Sequence, residues 1–185
     1  MKRTFIVHAA LAACIAQSLV FAVPVHAQTE AASTTTANPL PEADKKFVQA
    51  ASMSSSTEID AAKLAMSRSS DGDVKKFAGH MAADHTKLTV QLKMAAPRGV
   101  SVPKDNSDTA LLDSLRPLKG AEFDTAYIQK VGLQGHKEAV SAFQDEIANG
   151  QDAKLKSAAQ KALPTIEKHY QMAQDLAKKK NVTAP

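Results

Sequence analysis

Residues 73–96 read DVKKFAGHMAADHTKLTVQLKMAA. Val74, Phe77, Ala78, Met81, His85, Leu88 and Leu92 follow one another at steps of 3, 1, 3, 4, 3 and 4 residues. That is the period of a helix with one apolar face, and no strand-like alternation competes with it. Pro97, Arg98 and Gly99 stop the pattern, and Ser69 to Gly72 supply a turn and a fresh cap in front of it.

Working outward, the same period recurs three times. A first helix runs from about Asp44, a plausible N-cap, to Arg68, with Phe47, Ala51, Ser54, Glu58, Ala62 and Ala65 on one line. A third spans about Ala121 to Ala148 and ends at Asn149 and Gly150. The fourth runs from about Asp152 to Lys179, with Leu155, Ala159, Ala162, Ile166, Tyr170, Ala173 and Ala177 inward. Tight turns near 70 and 150 join two pairs, and a long connection with a short helix at Ser107–Leu115 joins the second helix to the third. The expectation is an all-α four-helix bundle over residues 44–180, with residues 181–185 as a disordered tail. The connection either spans the bundle's length or stays at one end. The small residues Ser52, Ser54, Ser55, Ser56 and Thr57 read as permitting close helix approach.

The chain begins as an exported protein does. Lys2 and Arg3 precede an apolar run from Phe5 to Val23, and Val25-His26-Ala27 supplies small residues at the two positions that define a signal-peptide cut. Residues 1–27 are therefore expected to be removed, and the Ser-, Thr-, Ala- and Pro-rich residues 28–43 to form a flexible leader. A lipobox-like Leu11-Ala12-Ala13-Cys14 offers a rival cut. The apolar segment before Cys14 is very short and the residues after it stay apolar, which favours cleavage after Ala27.

Cys14 is the only cysteine, so the mature chain has no disulfide, no thiolate metal site and no cysteine nucleophile. The formal charge of +4 includes Lys2 and Arg3, which leaves +2, and several remaining lysines lie in the run 178–180. With no Trp and no basic stripe interleaved with aromatics, nucleic acid is not an expected partner. No transmembrane segment is expected in the mature form. No nucleophile–base pair or phosphate loop stands at a recognisable spacing, so catalysis has no positive support.

The helical period does place polar groups inside. His85 falls within the second helix's apolar stripe, His169 at the inner border of the fourth helix's, and Glu58 on the buried line of the first. Counting from the tight turns, Glu58, His85, His136 and His169 all lie near mid-height, where bundles hold metals and cofactors. The first reading is a buried polar network that specifies packing, in an exported bundle with a non-catalytic envelope role and an envelope protein as partner. The alternative is a metal-binding bundle, in which three imidazoles and a carboxylate suit zinc, iron or copper. A diiron centre fits less well, because the second helix carries no Glu-x-x-His pair. Met81 reads as core and His80 as surface.

The third helix contains a contradiction. Phe123, Tyr127, Ile128 and Val131 share one face, while His136, Val140, Phe143 and Ile147 share another about 100° away. One extra residue taken up in a π-type turn would bring the two sets into line, and Gly132 and Gly135 make that stretch easy to deform. A straight helix with a broad buried face, or a glycine kink, is the alternative.

Glu58, the run Val74-Lys75-Lys76-Phe77-Ala78 through Met81 to Asp84-His85, Phe123-Asp124 with Tyr127, His136 before Phe143, and Leu163-Pro164 before His169 together resemble a bacterial family known only as a domain of unknown function. Its members are described as predicted exported or outer-membrane proteins with a ferritin-like bundle. The resemblance covers about Asp44 to Ala177 and implies fold and export, with no reaction attached. A periplasmic or secreted location is expected, and outer-membrane contact would need a partner or lipid on Cys14.

Overall fold

The computed structural model describes residues 40–184. The expected signal peptide, and residues 28–39 of the expected leader, lie outside them. The described residues are helical, with no strand: α1 (Glu42–Arg68), α2 (Gly72–Ala95), a short α3 (Thr109–Leu115), α4 (Gly120–Tyr127), a π-helical segment (Ile128–Gly135), α5 (His136–Asn149) and α6 (Ala153–Lys180). α4, the π segment and α5 run on without a break, so the bundle has four rods.

Aspartates cap three of the helices. Asp71, Asp108 and Asp152 each accept from backbone N–H groups in the first turn of α2, α3 and α6. Asp44, expected to cap α1, does something else. α1 begins two residues earlier, and the Asp44 carboxylate reaches across the fold to accept from Gln151 N at 3.1 Å and Asp152 N at 3.0 Å. It therefore ties the start of α1 to the α5–α6 turn.

α1 packs against α2 and α5, and α6 packs against α2, the π segment and α5. Phe47 near the start of α1 meets Phe143 near the end of α5, ring centroids 5.0 Å apart. The third rod therefore runs antiparallel to α1 and parallel to α2. Residues 96–119 must then travel the length of the bundle, which is the ferritin-like topology with one long crossover. The serine-rich stretch of α1 holds this crossover: Ser56 Oγ donates to Lys104 O at 3.0 Å, Asn106 Nδ2 to Ser52 Oγ at 2.9 Å, and Asp108 N to Thr57 Oγ1 at 2.8 Å. Two of these bonds satisfy backbone groups of the crossover and the third holds its Asn106 side chain, so the small residues do more than let helices approach as their size suggested. Past α6, Val182 N donates to Ala177 O and Gln129 Nε2 to Thr183 O, so the expected tail is fastened at least that far.

The apolar core falls into two halves. Near the α1–α2 turn, Ala61, Ala65, Val74, Phe77, Met81, Phe123, Tyr127 and Ala173 pack together. Near the α5–α6 turn, Phe47, Ala51, Leu88, Leu92, Phe143, Leu155 and Ile166 do the same. In sequence, Glu58, His85, His136 and His169 fall between the two sets on all four rods, as a buried polar layer across the middle.

Candidate metal centre

Each rod delivers one member of that layer. The third does so only because of the π segment: eight residues of wider helix carry Val131 and His136 to the same side, and both are buried. Close packing favours glycine here, since a Cβ on Gly132 would stand 3.2 Å from the Ala173 Cβ.

The imidazoles of His85, His136 and His169 form a nearly equilateral triangle, with centroids 5.8, 5.4 and 5.6 Å apart. Each ring is 1% exposed. One nitrogen from each lies within 4.8 Å of the other two. Rings radiating from one ion with metal–nitrogen bonds of about 2.0–2.1 Å would have centroids about 5.2–5.5 Å apart, so little movement separates this arrangement from a coordination sphere.

The outer nitrogens are all engaged. His136 Nδ1–H donates to Val131 O at 3.1 Å and Gly132 O at 3.0 Å; both partners are carbonyls, so the proton sits on Nδ1. His169 Nε2–H donates to the Asp84 carboxylate at 3.1 Å. His85 Nδ1 lies 3.4 Å from Ser55 Oγ, a hydroxyl that accepts from it when the His85 proton sits on Nδ1. What remains is His85 Nε2, His136 Nε2 and His169 Nδ1. All three are buried and have no hydrogen-bond partner.

Electrostatics keep these rings neutral. Burial, and then the other two rings, push His85 well below the ordinary histidine range. Burial brings His136 down to about 4. His169 is also lowered, by burial, against the opposing pull of Asp84. Three neutral imidazoles thus turn lone pairs toward a common region of the interior. That arrangement accepts a cation and offers nothing to an anion.

Glu58 is buried as expected but stands apart from the convergence. Its Oε1 lies 3.4 Å from His136 Nδ1, on the side of the ring where the backbone carbonyls sit. Burial pushes its carboxyl well above the usual range, and its other oxygen has no partner. Asp84 and Ser55 are the residues that sequence reasoning named but did not assign to the site. Asp84 precedes His85 in the resembling motif, and that was the signal: a carboxylate beside an apolar stripe can orient a histidine from another helix. Asp84 and His169 also line a surface cleft between α2 and α6, together with His80 and Met172, which gives the layer one side near solvent.

Residues 28–176 match the model of a family described as a domain of unknown function, DUF4142. The chain belongs to this family. Comparison with curated proteins finds no match. Among solved structures, the chain is similar to the crystal structure of "putative secreted protein DUF305 from Streptomyces coelicolor", with a TM-score of 0.62 and 16% identity over 77% of this chain and 96% of that one. At that identity the likeness speaks for the fold, and the DUF4142 description names no reaction, so function rests on the site itself. Among the described residues, no helix is long and apolar enough to cross a membrane.

Proposed function

We propose that this DUF4142 protein is an exported helical bundle that holds one transition-metal ion between His85, His136 and His169. The observation that carries the reading is the set of three buried, unpartnered nitrogens meeting inside the bundle. A network that served packing alone would satisfy those atoms, because an unpaired buried polar group costs about 1–3 kcal/mol. An ion satisfies all three at once.

Neutral imidazoles with no thiolate and no carboxylate at the meeting point suit zinc or copper better than iron, whose open sites more often include a carboxylate. Each ligand is braced from behind, His169 by Asp84, His136 by two carbonyls and His85 by Ser55, as histidine ligands usually are. Helices close around the layer from four sides, which suits retention of the ion rather than turnover of a substrate. Export rests on Lys2, Arg3 and the segment ending at Ala27.

The test is metal analysis of mature protein purified without an affinity tag from its own compartment, beside a variant carrying His85→Ala and His169→Ala. One equivalent of zinc or copper in the parent and none in the variant is expected. Metal-free parent protein that also fails to take up either ion in vitro would return the layer to a packing role.

A further inference from the structure

The cleft between α2 and α6, about 460 Å³ in volume, includes the Asp84–His169 pair in its lining and neither of the other two ligand rings. The Asp84 side chain is 34% exposed and that of His169 only 2%. The three unpartnered nitrogens lie deeper still, out of contact with solvent. An ion passing between water and those nitrogens must therefore displace a ligand ring.

What each ring leaves behind decides which one yields. Moving His136 breaks two bonds to the carbonyls of buried residues, Val131 and Gly132. Moving His85 takes it from the Ser55 hydroxyl, on a residue 6% exposed. Moving His169 breaks one bond, to a carboxylate that water reaches and that keeps Lys87 at 3.1 Å on its other oxygen. Water replaces the lost partner at Asp84, whereas bonds broken in the dry interior go unreplaced. His169 also stands against the cleft, where its ring has room to turn. The α1–α5 cavity offers no comparable way in, since its lining includes none of the three ligands.

We propose that the metal ion enters and leaves through the α2–α6 cleft, with His169 as the ligand that swings aside and Asp84 as the catch that holds it. The inference rests on the three-histidine site proposed above. His80 on α2 and Met172 on α6 stand on opposite walls of the passage, so a larger side chain at either narrows it.

The experiment follows zinc uptake from, and release to, a chromophoric chelator by stopped-flow absorbance of the mature protein, in roughly 0.5 M sodium nitrate to screen surface charge. His80→Trp and Met172→Trp should each slow both rates about tenfold and leave Kd unchanged, since a narrower passage raises one barrier for both directions. Ala142→Leu, which fills the α1–α5 cavity instead, should exchange zinc like the parent. Asp84→Asn keeps an acceptor for His169 without the charge, and should speed uptake as well as release several-fold. An uptake rate unmoved by both tryptophans, equal slowing by Ala142→Leu, or faster release from Asp84→Asn without faster uptake would overturn the route. Each of those results is read on protein that still binds one equivalent of zinc, so the site outlives the route. A parent that takes up no zinc would remove the site and the route together.

Discussion

Two sets of buried polar groups sit in this bundle, and they behave as opposites. At mid-height, three imidazoles turn lone pairs toward one another. At the α5–α6 end, two carboxyl groups are pressed together: Asp44 is fully buried and Glu146 is 2% exposed. Asp44 spends its oxygens on the N–H groups of Gln151 and Asp152, while neither oxygen of Glu146 has a partner of ordinary geometry. Both sets concentrate negative potential in a low-dielectric interior, and both need positive charge to relieve it. The carboxyl pair can take a single proton between its members. The imidazoles, each pushed toward neutrality by burial, resist protonation and are left to a metal ion. One set should therefore answer to pH and the other to metal.

The largest effect expected of that contrast is thermal. An ion that binds the folded chain at a thousand times its Kd adds about 4 kcal/mol, or about 8–16 °C in Tm for a chain of this length. Calorimetry of the chelator-treated protein with and without zinc should show such a rise. Glu146→Gln should leave the rise intact, and His136→Ala should remove it. A zinc response that survives His136→Ala would mean that the ion binds elsewhere.

The next prediction separates the imidazole layer from the helix that delivers it. If the π segment exists to absorb one extra residue, deleting Gln134, which is exposed, should leave a regular helix with Val131 and His136 still on one side. Deleting Lys137 places the missing residue after His136 and turns that ring about 100° away from the layer. Metal binding should therefore survive the first deletion and fail in the second, as read by zinc stoichiometry. Equal loss in both would show that the wide turn is not a compensated insertion.

The mismatch of faces between Val131 and His136 is visible in the sequence, and so is a disturbed turn between them. The four rods, their tight turns and the inward aim of His85 follow from the same 3.6-residue period, and the inward aim of His136 follows once the wide turn is allowed. Period and height place a residue on a face and at a level, but they do not say which atom of a ring turns inward. Glu58 therefore counted as a fourth member of the cluster, although its carboxyl lies behind His136. The crossover's direction was open for a related reason. Nothing periodic marks residues 96–108, and their anchors are hydrogen bonds from Ser52, Ser56 and Thr57 that involve backbone groups and a loop asparagine. Asp44 misled because a helix-start aspartate ordinarily caps its own helix, whereas here tertiary contact gives it to another.

At the carboxyl end, glycine is a steric requirement. A Cβ at Gly150 would lie 2.5 Å from Glu146 Oε1 and 2.6 Å from Glu146 O, closer than real side chains come. Gly150→Ala must push Glu146 or the turn aside, at a cost of about 1–3 kcal/mol in denaturant unfolding. Zinc binding at the middle of the bundle should be unchanged, since the two sets lie in separate contact networks. A variant as stable as the parent would show that the Asp44–Glu146 contact is loose enough to yield.

The smallest effect is the one that most directly distinguishes a proton from a metal. Burial, and then the neighbouring Asp44 carboxylate, raise Glu146 from its ordinary value of 4.5 to about 7. In the unfolded chain Glu146 ionises near its ordinary value, so between about pH 4.5 and pH 7 the folded chain holds a proton that the unfolded chain has lost. Stability from this group is complete below the lower value, falls as pH rises toward about 7, and levels off above it. Lys156 opposes the shift and Asp152 adds to it; Asp152 caps α6 and Lys156 lies in its first turn, so the response is confined to this end. Glu146→Gln keeps the shape and the neutral state at every pH. At pH 8 it should melt a few degrees above the parent, the size expected of about 1 kcal/mol in a chain this long. At pH 4 the two should converge. A gap that persists unchanged from pH 4 to pH 8 would mean that the glutamine improves packing, and that no shared proton holds the start of α1 to the α5–α6 turn.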